Sequence, residues 1–101
     1  MRKLTRSIQN FEIGWEEAEE KQKNGAILVD VRSNQEYVEG HKSGAICIPN
    51  YEIKRKAERI LKNKTSEIIV YCQNGERSKK AFQTLKKLGY KNVFNVENGL
   101  N

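Results

Sequence analysis

The stretch Cys72-Gln73-Asn74-Gly75-Glu76-Arg77-Ser78 carries the residue types needed to hold a reactive thiolate. A cysteine at the end of a strand and just ahead of a helix faces loop amides and first-turn N–H groups that have no intrahelical partner. Such donors favour an anion, and helix N-termini or nearby cations can lower a cysteine pKa from about 8.5 to roughly 3.5–7.5. The thiolate is the nucleophile, so the expected chemistry is attack on an electrophilic atom held among those amides. Arg77 adds a fixed charge with a fork of donors suited to an oxyanion, and Gly75 permits a positive φ in the cradle. The plainer alternative is that Cys72 is a small buried hydrophobe. Glycine and arginine at this spacing favour the reactive reading.

Two elements must position this loop. Ile68-Ile69-Val70-Tyr71 has the composition of a strand buried on both faces. Ala81, Phe82, Leu85 and Leu88 recur at helical spacing, which predicts a helix that begins near Ser78, is capped by it, and is stopped by Gly89.

The loop resembles the C-x-x-G-x-R-S active-site loop of rhodanese-like domains. Two further segments carry the resemblance in the expected order: Val29-Asp30-Val31-Arg32, similar to the family's first core strand, and Glu36-Tyr37-Val38-Glu39-Gly40-His41-Lys42-Ser43-Gly44-Ala45-Ile46-Cys47-Ile48-Pro49, similar to its E-[YF]-x-x-G-H-x-x-G-A-x-x-I-P segment. The resemblance runs from about Ala26 to Gly99. It implies a sulfurtransferase in which Cys72 takes sulfane sulfur from thiosulfate or a persulfide, holds it as a persulfide, and passes it to a thiol or cyanide. It also implies that the Gln73–Ser78 backbone surrounds the terminal sulfur, with Arg77 holding the loop shape and a donor anion. The alternative is a carrier or interaction module of the same fold, docking a protein donor or acceptor without free turnover.

Loop length separates the chain from phosphatases and arsenate reductases of related architecture, which use C-x5-R; here the arginine comes one residue early. A smaller ring of amides suits sulfur better than phosphate, and Glu76 repels a dianion. That glutamate also counts against thiosulfate itself and favours a protein or low-molecular-weight persulfide donor. The family usually continues past its last strand through Gly-Gly into a tryptophan-containing helix. Asn98 stands at the first glycine position, so the expectation is a fold shortened at its carboxyl end, with apolar surface left uncovered or covered by another subunit.

With 101 residues the chain is expected to form one domain over residues 1–101, burying somewhat over ~60% of the unfolded surface. Two cysteines and one histidine supply neither a disulfide framework nor a four-ligand zinc site, so no metal and no cofactor is expected. The basic start, Met1 to Arg6, leads into no apolar segment, and no run reaches membrane-spanning length; a soluble cytoplasmic protein of prokaryotic type is the expectation. The net charge of +6 and pI of 9.4 raise nucleic-acid binding. The cations are instead spread along helices without an exposed aromatic series, as solvated faces are. Lys79 and Lys80, unfavourable for a helix dipole, are placed to steer anions toward Cys72.

In chain order, Thr5 to Gln9 reads as a short edge strand, and Phe11, Trp15 and Ala18 as the buried side of a highly charged first helix closed by Asn24-Gly25. Ala26 to Val29 follows as a buried strand, with Asp30 and Arg32 at its carboxyl end, beside the Cys72 loop if the strands are parallel neighbours. Asp30 reads as a scaffold anchor rather than a proton carrier. Ser33 and Glu36 have capping-box spacing. His41 invites pairing with Cys72, but the family pattern makes it part of a turn. Ala45 to Ile48 reads as a strand in which Cys47 is a core residue, with a resolving thiol as the lesser reading. Asn50 is placed to cap a helix carrying Ile53, Ala57, Ile60 and Leu61, Asn63 to Ser66 is a turn, and Asn92 to Val96 is the last strand. The alternation predicts an α/β fold: a mostly parallel sheet of about five strands with helices on both faces.

Overall fold

Ile68, Ile69 and Val70 have no exposed surface, because the strand that leads to Cys72 is the middle one of five. The computed structural model describes residues 11–101. Its elements are β1 (Glu12–Ile13), α1 (Trp15–Lys23), β2 (Ile27–Asp30), α2 (Asn34–Glu39), β3 (Ile46–Cys47), a 3-10 turn (Asn50–Glu52), α3 (Ile53–Ile60), β4 (Glu67–Tyr71), α4 (Glu76–Lys87) and β5 (Asn92–Val96). The sheet order is β1-β5-β4-β2-β3, with every neighbouring pair parallel. Asp30 is in register with both Tyr71 and Cys47. The segments after β2, β3 and β4 therefore leave the same sheet edge, where open parallel sheets hold their ligands.

Side chains of β4 alternate between two cores, as strand geometry requires. Ile68, Val70 and Cys72 join a cluster with Ile53, Ala57, Ala81 and Leu85 of α3 and α4; Ile69 and Tyr71 face Ala18 of α1 and Val96. Cys72 thus points to the side of the sheet that α4 covers. Gly89, at φ +100, lets the chain turn from α4 toward β5.

Several local expectations are corrected. The edge strand expected over Thr5 to Gln9 lies outside the described residues; Glu12–Ile13 forms the edge next to β5, and Phe11 O accepts from Asn95 N at 2.7 Å. The first helix starts at Trp15, not Phe11, because Gly14 is extended (φ −92, ψ 177) and Phe11 turns away to stack on Phe82 at 4.7 Å. Asn50 does not cap α3. It opens the 3-10 turn and gives its N–H to Val31 O, while Ile60, at 43% exposure, falls off the buried stripe of Ile53, Ala57 and Leu61. Cys47 is half-buried on a two-residue edge strand rather than in the core.

The uncovered apolar face expected beyond β5 is also absent among the described residues. Trp15 lies edge-on to Tyr71 at 5.1 Å and donates from Nε1 to Gly99 O at 2.8 Å. Leu100 packs into the same cluster, so the tail and α1 cover that side. Among the described residues, the large apolar side chains that remain exposed are Val38, Ile46, Tyr51 and Ile60.

Candidate functional site

Cys72 follows the central strand, has no exposed surface, and holds its sulfur inside the turn that opens α4. Gly75 N and Ser78 N donate to Sγ at 3.2 and 3.3 Å. Ser78 Oγ lies 3.4 Å from Sγ and donates to Gly75 O at 3.2 Å. Burial alone pushes the thiol pKa up; the Ser78 hydroxyl and the amides of Ser78, Gly75 and Asn74 pull it down, and the net shift is below the ordinary cysteine value.

The turn has local causes. Asn74 Oδ1 accepts from Glu76 N at 3.0 Å, the self-bonded turn that asparagine favours. Gly75 is left-handed at φ +94, and a Cβ there would stand 3.3 Å from Asn98 N. Ser78 is not the cap expected of it: the helix begins at Glu76 with Gly75 as N-cap. Ser78 instead occupies the third helical position, where its free N–H meets the sulfur rather than a carbonyl. Gln73, Asn74 and Glu76 are exposed around the mouth.

Arg77 turns its fork away from the sulfur. Its Nη1 and Nη2 bind Glu36 Oε1 and Oε2 at 2.8 and 3.1 Å. Glu36 Oε1 also accepts Ser33 N at 3.0 Å, while Glu36 N donates to Ser33 Oγ, completing the capping box of α2. Arg77, foremost, and the Ser33 backbone hold the Glu36 carboxyl down at about 2. The arginine therefore fastens the loop to α2, and its two terminal nitrogens are already occupied by a carboxylate.

Asp30 and Arg32 form a buried brace beneath the loop. Asp30 Oδ1 accepts from Arg32 N and Nε at 2.9 and 3.0 Å; Oδ2 accepts from Arg32 Nη2 at 2.7 Å and from the Tyr71 hydroxyl at 2.8 Å. Arg32 Nη2 continues to Gly40 O, and Tyr71 Oη accepts from Lys42 N at 3.0 Å. Burial, chiefly, pushes the Tyr71 phenol above its ordinary value. These groups spend their hydrogen bonds on one another, which fits an anchor and not a proton carrier. His41 is exposed; its Nδ1 meets Tyr37 O at 2.7 Å and its ring stacks on Tyr37. Cys47 Sγ donates to Asn34 Oδ1 at 3.4 Å, and burial, foremost, raises its pKa.

The tail reaches the site unannounced by the motif. Leu100 N donates to Cys72 O and Asn101 N to Gln73 O, at 3.1 and 3.0 Å, and Gln73 Nε2 donates to Asn101 Oδ1 at 3.0 Å. The available signal was Asn98-Gly99, a dipeptide of the turn class; both residues adopt positive φ. Among the described residues, no group of three His, Cys, Asp or Glu side chains is placed to hold a metal ion, and no helix is long and apolar enough to cross a membrane.

A family model, the Rhodanese-like domain, matches residues 14–101. A putative sulfur carrier protein of Bacillus subtilis is 38% identical over 73 residues, covering 72% of this chain and 38% of its own length. A thiosulfate sulfurtransferase of Haemophilus influenzae is 38% identical over 88 residues, covering 87% of this chain and 82% of its own. The chain spans as little as 22% of other curated relatives. The solved structure of a human single-domain sulfurtransferase superposes with a TM-score of 0.77 at 26% identity, over 88% of this chain and 90% of the other.

Proposed function

The chain belongs to the rhodanese-like domain family, and from that membership we propose that it transfers sulfane sulfur through a persulfide on Cys72. The observation that carries the reading is the buried Cys72 sulfur, facing the Gly75 and Ser78 amides with its pKa lowered. The Cys72 thiolate attacks the outer sulfur of the donor. With thiosulfate, the S–S bond breaks and sulfite leaves with the electron pair; with a persulfide, a thiolate leaves. The new Cys72–S–S⁻ carries its charge into the ring of loop amides, which stabilise it without moving. An acceptor thiolate or cyanide then attacks the outer sulfur, and the electron pair returns to Cys72. Gln73 to Ser78 bind the sulfur, Arg77 fixes the loop, and Asp30 and Arg32 support it from below. Two free cysteines fit a reducing compartment such as the cytoplasm.

A second reading, a carrier that releases sulfur only to a docked protein, is favoured by the absence of exposed surface on Cys72 and by the engagement of Arg77 with Glu36. The test is the intact mass of reduced protein after thiosulfate, then after cyanide, for the parent and Cys72→Ser. Gain of one sulfur that cyanide removes, absent in the variant, is expected. An unmodified, folded and reduced parent would reject thiosulfate as donor and favour the carrier.

A further inference from the structure

Main-chain hydrogen bonds extend the sheet past its strands at the edge that carries Cys72: Val31 N donates to Tyr71 O, and Asn50 N donates to Val31 O. Asn50 therefore sits two strand spacings, about 10 Å, from the backbone that leads into Cys72. The next residue, Tyr51, is 71% exposed, and Lys54 and Arg55 follow on the exposed side of α3. Between Asn50 and Lys62 the chain carries five cations against two carboxylates, whereas α1, on the other sheet face, carries four glutamates against two lysines. Glu52 is shared by Arg55 and Lys56, which leaves Lys54 without a carboxylate partner among the described ion pairs. On the opposite flank of the loop, three carboxylates, Glu12, Glu76 and Glu97, outnumber the one cation, Lys79, around a shallow cavity that Asn74 and Gly75 also line. The mouth over Cys72 is thus uneven in charge, with cations in excess toward α3 and carboxylates in excess toward β5 despite Lys79.

We propose that Tyr51, Lys54 and Arg55 dock an acidic protein segment whose cysteine exchanges sulfur with Cys72. This rests on the reading of Cys72 as the sulfur-bearing residue. An exposed tyrosine beside cations is the composition of a protein-binding anchor, and a single aromatic is a poor platform for stacking bases. Because Cys72 lies wholly below the surface, a thiol on a flat folded face does not reach it; one on an extended chain does. The acceptor thiolate attacks the outer sulfur of the Cys72 persulfide, the S–S bond breaks toward Cys72, and the peptide leaves as a persulfide.

Three synthetic peptides, each with one cysteine flanked by Asp and Glu, by Ser and Gly, or by Lys, test this against the persulfide-loaded chain at low and high salt. Transfer to the acidic peptide is expected to be at least about tenfold faster than to the neutral one at low salt. That preference should vanish in Lys54→Glu/Arg55→Glu and shrink in Tyr51→Ala. Equal rates for the three peptides would overturn the proposal, as would a preference retained in the charge-reversed variant, or binding of an RNA oligonucleotide with none of the acidic peptide. Anisotropy of labelled peptides with serine in place of cysteine reads docking without sulfur. If Cys72 takes up no sulfur, the transfer reading fails while the docking surface is still tested.

Discussion

Glu36 and Arg77, forty-one positions apart in the chain, meet through both carboxylate oxygens and both terminal guanidinium nitrogens. One carboxylate thereby closes the first turn of α2 and holds the first turn of α4, so the two segments flanking the Cys72 mouth cannot shift independently.

Replacing Glu36 separates its two roles. Glutamine keeps a capping-box acceptor but loses the ion pair, and with about a third of the side chain exposed the cost is under about 1 kcal/mol. Alanine also loses the acceptor for Ser33 N, while Ser33 Oγ still accepts from the amide of position 36, for a total of about 1–2 kcal/mol. The carboxyl is held at about 2 in the fold, below the ~4.3 of a free glutamate. The stability it adds is therefore fully present above about pH 4.5 and fades as pH falls toward 2. Urea midpoints of the parent and Glu36→Gln should converge over that window; a constant gap would show that the ion pair is not its source.

Ser78→Ala removes the hydroxyl next to Sγ while leaving the Ser78 amide in place. In the parent, loss of the thiol proton lets that hydroxyl turn from Gly75 O to the sulfur. Without it, the Cys72 pKa rises toward the ordinary value and sulfur loading at neutral pH slows by about tenfold. Thiolate absorbance followed against pH checks the direction; an unchanged titration would leave the backbone amides as the whole cause.

Asp30→Asn leaves the Arg32 guanidinium buried without its countercharge. Breaking such a pair costs about 3–5 kcal/mol, which should appear as a large fall in the urea midpoint. Arg32→Lys, which keeps charge but not the fork, should fall between the variant and the parent.

The fold was legible where physical rules act locally. The apolar runs at Ala26–Val29 and Ile68–Tyr71, the Ser33–Glu36 spacing, and Gly75 and Gly89 each fix a strand, cap or turn through composition alone. What sequence missed is tertiary. Phe11 has helical spacing with Trp15, yet leaves to stack on Phe82, a contact that periodicity cannot report. Ser78 looks like a cap by type, but the left-handed Gly75 starts the helix earlier. Arg77 reads as an anion fork, and only the fold supplies the carboxylate that occupies it. The tail is the least legible part: Trp15 reads as one residue of the buried side of the first helix, and only the fold brings its indole to Gly99 O, where the two cover the sheet next to β5.

The tail contacts have a topological consequence. Asn101 N rests on Gln73 O, one residue past the cysteine. Any polypeptide joined after Asn101 would leave the fold at the rim of the reactive loop, so a tethered module would begin its path within reach of Cys72. Its effective concentration there would be set by the linker, not by diffusion.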